Sequence, residues 1–409
     1  MDKCYFAIIG GGVSGLLAAI SAAQAMQGKG HKIIILESGT QCGAKLLLSG
    51  SGQCNFTHAG TNEEFLSRCR EYKNYLKPAY YTFSNTQFIK LLSDAGCPSV
   101  TRDDAKVFPA SMKASDVRDC LLNTALRLGV QVKYHAKVNK VEKTVDGGFA
   151  IATDNLYQVT ASHLLIATGG GSYPKTGSDG WALKLAKSLG HRITPFRAHL
   201  CGISLKNYAP YKQCAGISIP KAVIQFRSKE TQFSDCGDLL FTHDGLSGPV
   251  ILDNSYRICA GMSIALNLIP DYKQELTDLL GQIKNATLIN ALSKLSVPRR
   301  LLSTILEQNG FDPAHTISGM NKKDINRLQA VLLSCKFVVS SVETLETAMA
   351  SAGGVLLSEV NSKSMESRIC KGLYFAGEVL DYALPSGGFN IQIAASTGWL
   401  AGQKASAFP

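Results

Sequence analysis

Three glycines and one acid carry the first chemistry in this chain. Gly10, Gly12 and Gly15 follow the pattern G-x-G-x-x-G, and Glu37 comes 22 residues after the last of them. The first glycine of such a pattern makes a tight turn. The second lets backbone approach a pyrophosphate, and the third lets a helix pack closely on a strand. Free N–H groups and the positive dipole end at the helix start then face the phosphates. An acid at this distance can bind ribose hydroxyls. The pattern needs strand, turn, helix and strand in that order. Phe6–Ile9 reads as an apolar strand, the helix opens at Val13, and Lys32–Leu36 is the second strand. Ser14 and Ser38 flank the two chemical positions and join the expected cofactor contacts. A glycine-rich turn of another α/β fold would supply the glycines, but not the helix, second strand and Glu37 together.

Three later segments extend this site. Gly43–His58 is a loop of small and polar residues, with Lys45, Ser49, Gly50, Asn55 and Thr57 as candidate contacts. Gln158–Ile166 reads as a buried strand running into Ala167, Thr168, Gly169 and Gly170. Pro174 stands where a third glycine would follow Gly169 and Gly171, so this is no second dinucleotide fingerprint. Near the end, Gly372–Asp381 is a strand and turn carrying Gly377 and Glu378. Gly387, Gly388, Phe389, Asn390 and Ile391 then open a final helix. Val138, ending the stretch Val130–Val138 that reads as a strand, is a further candidate contact. This order points to FAD. It resembles that of two-dinucleotide-fold FAD enzymes, and the resemblance implies that Ala-Thr-Gly passes over the dinucleotide, that Glu378 meets the ribitol hydroxyls, and that the last helix aims its N-terminus at the flavin N1–C2=O edge.

The chain has 409 residues, 45% hydrophobic and 18% charged, which predicts two or three domains with a sizeable core. The net charge of +11 favours anionic ligands, but Lys and Arg are scattered, and a solvated basic surface is expected in place of a nucleic-acid interface. Twelve cysteines include no C-x-x-C and no zinc spacing, so buried reduced thiols, no metal and a cytoplasmic location are expected. No run of ~20 apolar residues suggests a membrane span. Oligomeric state is left open.

Element patterns suggest a split FAD-binding domain, residues 1–192 and 346–409. Between them come a β-rich domain at 193–270, a helical insertion at 271–334 and a return strand of the β-rich domain at 335–345. Helices are expected over 62–96, 114–128, 181–190, 275–283, 286–295, 299–307 and 322–333. Ser111 or Ser115 is the expected cap of the second, and Ser247 that of a short helix at Pro249. The fold class is therefore α/β: a Rossmann-type, two-dinucleotide-binding FAD fold with an inserted β-barrel-like domain and a small helical subdomain.

The quoted segments, with Leu48–Thr57, Ala167–Gly177, Leu240–Pro249 and Gly372–Asn390, resemble the BaiN-like, aminoacetone-oxidase-type FAD-dependent oxidoreductases of bacteria. The resemblance runs nearly end to end and implies the same split FAD domain. Where that family has Arg-Cys-Asn-x-Thr-Asn, this chain has Gln53-Cys54-Asn55-Phe56-Thr57-His58. Its Asp-x-Asp-Gly-x-Thr-Gly-Gly-Tyr-Asn run is here Asp381 to Asn390 with Tyr382, Ala383, Leu384 and Pro385 inside.

The resemblance implies an oxidoreductase acting on a small molecule. Its bile-acid association favours hydride delivery to the β-carbon of an enone, on a hydrophobic, steroid-like 3-oxo substrate. The alternatives are an amine or aminoketone oxidase producing peroxide, and an FAD-containing RNA-modification or binding protein suggested by the charge. NAD(P)H is the expected electron donor, binding transiently because no second fingerprint exists. Candidate proton donors are Tyr173, His243 and Tyr382. The segments holding them are expected to converge where the FAD and β-rich domains meet. Cys54 is read as a buried thiol in preference to a redox one.

Overall fold

The computed structural model describes residues 2–269, 286–295 and 297–407. The chain divides into two compact units, Met1–His199 with Leu345–Pro409, and Leu200–Thr344.

In the first unit, β1 (Asp2–Ile9) pairs in parallel with β2 (Ile33–Leu36) on one side and with Gln158–Ile166 on the other. β2 in turn pairs in parallel with Gln131–Lys133. Phe6–Ile9, Ile33–Leu36 and Leu164–Ile166 are all buried. Apolar runs of this kind suit parallel strands covered on both faces. On the edge away from β1, Gln158–Ile166 has two partners along its length. Its first part pairs antiparallel with Phe149–Thr153, and its end pairs in parallel with Leu373–Phe375. Ala167 and Ala376 therefore emerge beside each other, next to the turn after β1. Ligands of open α/β sheets bind at these carboxyl ends.

Helix α1 (Val13–Ala25) is buried over Ser14–Ala23 and packs against the last helix, Phe389–Ala405. Small residues allow the contact: a methyl on Gly398 would overlap the Ser14 backbone, and one on Gly402 the Ala18 backbone.

Several local expectations shift. Val130–Val138 is not one strand, because the chain turns at Tyr134–His135, with His135 at φ 53°, and Val138–Lys143 begins a separate strand. Neither Ser111 nor Ser115 caps the helix Ala114–Arg127. Lys113 holds that position without a side-chain bond, while the Ser111 hydroxyl accepts from Lys113 N–H and Ser115 bonds Asp116. Ile193–His199 pairs antiparallel with Ala350–Val355 within the first unit.

The second unit contains a closed barrel of six strands among its described residues. Their order is Ile203–Leu205, Gly245–Ser247, Gln232–Phe241, Ser218–Arg227, Ser263–Asn267 and Cys335–Val342. In Ser218–Arg227 the inward residues are Ile219, then Ala222, Ile224 and Phe226. The break in alternation is a bulge, which re-aims the strand as barrels require. Helices Arg299–Gln308 and Lys322–Leu333 bury Leu301, Leu302, Ile305, Leu306, Leu328 and Leu332. The helix expected at 275–283 lies outside the described residues. Ser247 pairs with Leu240 in the barrel, so Gly248, not Ser247, precedes the short helix Pro249–Leu252. The whole is a Rossmann-type FAD fold with an inserted barrel and helical elements.

Candidate cofactor site

The opening turn is built for close approach. Gly10 has φ 102°, and a methyl there would lie 2.6 Å from the Ala167 carbonyl oxygen. A methyl on Gly15 would overlap the Gly10 carbonyl. Gly12 caps α1 and differs from both, since a methyl on it would meet nothing within 4 Å. That open cradle lies at the helix N-terminus, where a pyrophosphate needs room. Ser14 is buried, with its hydroxyl close to Gly377.

Glu37 is buried at the end of β2 and is held from both sides. Gly11 N–H donates to Oε2 at 2.8 Å, and Gly39 N–H to Oε1 at 2.7 Å. The Ser38 hydroxyl donates to Oε1 at 3.3 Å. A carboxylate accepts about four bonds, so Oε2 keeps room for a ribose hydroxyl. Val138 is buried, and its neighbour Ala136 donates its N–H to the Glu37 carbonyl.

The Gly43–His58 loop is tied to the rest of the first unit through several side chains. Lys45 Nζ donates to Glu378 Oε2 at 2.5 Å and also to the Ser172 hydroxyl. The Ser49 hydroxyl closes on the Leu46 carbonyl, and Gly50 takes φ 55°. The Thr57 hydroxyl donates to Gln392 Oε1 at 2.6 Å. His58 Nδ1 lies 3.3 Å from the Gly387 carbonyl, and its ring lies against Phe389. A methyl on Gly388 would come within 2.6 Å of the Thr57 carbonyl oxygen, so this strap lies directly over the start of the last helix. Phe389 is buried there, Asn390 Nδ2 donates to the Leu384 and Pro385 carbonyls, and Ile391 packs on the core.

Gly169 has φ 76°, and Gly170 faces Ser351 and Glu378 so closely that no side chain fits. Gly377 N–H donates to the Thr397 hydroxyl. Glu378 Oε1 accepts from the Ser351 N–H at 2.6 Å and the Ser351 hydroxyl at 3.1 Å. Burial pushes its carboxyl up, but the Lys45 charge and the bonds from Lys45 and Ser351 outweigh that and hold it below the usual range. Among the described residues, Asn55 Oδ1 and Thr168 Oγ1 are buried polar atoms with no partner. Both lie in segments expected to touch FAD, and an unmet buried polar atom costs about 1–3 kcal/mol. The open cradle at Gly12, the carboxylates and these two atoms fit a dinucleotide with a ribityl chain.

The three proton-donor candidates have different surroundings. Tyr173 is half-buried in the first unit at φ 52°, a left-handed conformation uncommon for a bulky residue. Tyr382 is buried, its hydroxyl has no partner, and burial followed by the Glu378 charge pushes it well above the usual phenol range. Ala383, Leu384 and Pro385 are buried alongside it, so packing accounts for the apolar character of this stretch. His243 is exposed on a turn of the second unit. Cys54 is fully buried, and burial raises its thiol to about 12.

Sequence reasoning missed Ser351 and His58, and it placed Ser172 in a segment expected to reach the flavin without giving its hydroxyl a bond. The signal available for Ser351 was its place just before Gly353-Gly354, within the return strand Ala350–Val355.

This fold and site define a Rossmann-type FAD-dependent oxidoreductase. The chain belongs to the family described as HI0933-like protein Rossmann domain, which matches residues 4–404. It is 30% identical to the ribosomal RNA dihydrouridine synthase of Escherichia coli over 98% of both chains. It is 28% identical to the 3-dehydro-bile acid delta(4,6)-reductase of Clostridium scindens, over 98% of this chain and 99% of that one. The fold is also similar to 3-ketosteroid delta1-dehydrogenase from Sterolibacterium denitrificans, with a TM-score of 0.55 and 12% identity over 100% of both chains.

Proposed function

We propose that this protein reduces a carbon–carbon double bond conjugated to a carbonyl. The observation that carries this reading is what two end-to-end relatives have in common. Making dihydrouridine saturates the uracil C5=C6 bond, which is conjugated to a carbonyl. A delta(4,6)-reductase of a 3-dehydro bile acid acts on the same kind of bond.

Bound FAD supplies the two-electron chemistry. The chain's residues hold and orient it: Gly10, Gly12 and Glu37 at the adenosine diphosphate half, and Glu378 at the ribityl chain. We assign the proton to Tyr173 in preference to Tyr382. Tyr173 is partly exposed and held in strained backbone, as functional residues often are, whereas the Tyr382 phenol is a weakened acid in the core. NAD(P)H is the proposed reductant, visiting the flavin without a domain of its own.

Two substrates carry such a bond. Against the expectation of a merely solvated basic surface, a uracil base in ribosomal RNA is favoured by the 30% identical relative, and the net charge of +11 is compatible with it. Most of that excess lies in the FAD-binding unit, with 27 Lys and Arg against 19 Asp and Glu. A 3-oxo steroid is the second reading, supported by the bile-acid relative and by the BaiN-like resemblance. The test is steady-state turnover with each. NAD(P)H consumption that depends on ribosomal RNA or on an enone supports the reading and chooses between substrates. Peroxide produced only with amines would contradict it.

A further inference from the structure

The hydrogen bonds around Glu378 close into a ring. Ser172 accepts from Lys45, and Lys45 donates to Glu378 Oε2 at 2.5 Å. Glu378 Oε1 accepts from both the N–H and the hydroxyl of Ser351. The Ser351 hydroxyl in turn accepts from Gly171 N–H at 2.9 Å, and Gly171 is bonded to Ser172 in the chain. Every polar link in this circuit is made. Ser172 and Ser351 are fully buried, and the Lys45 and Glu378 side chains are only 25% and 16% exposed.

The ring joins segments that are far apart in sequence. Lys45 comes from the loop after β2, Gly171 and Ser172 from the glycine turn after Ile166, and Ser351 and Glu378 from the returning chain. Bringing a charge into such a place is unfavourable unless it is paired and fully bonded. Lys45 and Glu378 supply the pairing, and the two serines supply the remaining bonds. Lys45 spends two of its three N–H donors inside the ring. It acts there as the counter-ion of Glu378.

We propose that Ser351 and Ser172 are positioning residues which, with Lys45, aim the Glu378 carboxylate and keep FAD seated. The proposal rests on FAD occupying this site. It assigns to two serines a function that a simple core role would not give them. Glu378 should stay ionised only while the ring is intact. FAD retention is then present at neutral pH and lost as pH falls through the depressed pKa of Glu378. Breaking a ring bond raises that pKa, so release should begin at higher pH. Among the described residues, His199 and Tyr382 are further titratable groups that feel the Glu378 charge. His199 also changes charge in acid, at about 4, so it must be separated from the effect.

The experiment measures FAD fluorescence on release across a pH series, and FAD affinity at neutral pH. Ser351→Ala should weaken FAD roughly tenfold, in line with one bond to a charged group. It should also move the release midpoint to higher pH. Lys45→Met should move it further, and Lys45→Arg should move it back toward wild type. Ser351→Thr keeps both donors and should behave as wild type, which guards against a folding defect in the alanine variant. His199→Gln should leave the displacement between Ser351→Ala and its parent in place. Wild type that binds FAD, with midpoints unmoved in Ser351→Ala and Lys45→Met, would overturn the ring. Wild type that never takes up FAD would overturn the cofactor assignment and this proposal with it.

Discussion

The two units bury polar groups to different extents. The first unit encloses Glu37, Thr57, Ser172, Ser351, Gln392 and Thr397, and each has a named partner in another segment or along its helix. The core of the second is Ile224, Phe226, Leu239, Phe241, Ile264 and Leu306. Among its described residues the second unit buries few polar groups, Asp253, Asn254, Ser255 and Thr304, although these too are bonded: Asn254 Nδ2 donates to Asp235 at 2.8 Å, and the Thr304 hydroxyl accepts from Gln213 Nε2 at 3.0 Å. Apolar burial at about 25 cal/mol per Å² suffices to hold a scaffold together. A site that grips a charged, hydroxyl-rich ligand needs desolvated donors and acceptors fixed before the ligand arrives. The first unit accepts that cost, and its glycines keep side chains out of the space between.

Substitutions at two glycines break this contrast most sharply. Gly15→Val would drive a side chain into the Gly10 carbonyl, so the first unit should fail to fold. Gly12→Val fills open space, so the protein should fold but lose its yellow colour. Circular dichroism beside the visible spectrum tells the two outcomes apart. Full flavin in Gly12→Val would remove the phosphate assignment.

A change in the second unit should do the reverse. Leu306→Ala should cost about 2–5 kcal/mol by leaving a cavity, while folded protein keeps its full flavin content. Loss of flavin in step with Leu306 would erase the contrast between the units.

Acid should weaken the first unit through His199. Its imidazole is buried against the Leu384 carbonyl at 2.8 Å, and burial lowers its pKa to about 4 from an ordinary 6.5. The unfolded chain therefore binds the extra proton first. Stability should fall as pH drops from about 6.5 toward 4, by up to roughly 3 kcal/mol from this residue. Denaturant melts of wild type and His199→Gln check this, and the variant should lose less stability over that window.

The smallest effect concerns the proton. Tyr173→Phe should keep flavin and slow turnover by roughly 10²-fold. Tyr382→Phe removes a hydroxyl with no partner and should change little, as should His243→Ala. A large loss in Tyr382→Phe alone would transfer the proton to the buried phenol.

Much of the first unit was legible because its constraints are local. A tight turn, a helix start and an acid after a strand leave a spaced signature, and Gly10, Gly12, Gly15 and Glu37 carry it. The barrel strands were visible as alternation, but the bulge between Ile219 and Ala222 was not, since a register slip leaves no composition signal. The break at His135 was hidden for a similar reason. Residues 130–138 suit a strand, but the backbone turns to bond Glu37. The ring through Ser351 depends on contacts across more than 300 residues, as between Lys45 and Glu378, and no local pattern records them.

The central claim, that the reduced protein saturates a bond conjugated to a carbonyl, has a direct test. Purified protein is photoreduced without oxygen, then mixed with ribosomal RNA or a 3-oxo-4-ene steroid while flavin absorbance is followed. The account predicts that ribosomal RNA or the steroid restores the oxidised spectrum, with one double bond saturated per flavin. Flavin that stays reduced with both, and is reoxidised only by admitting oxygen, would contradict it.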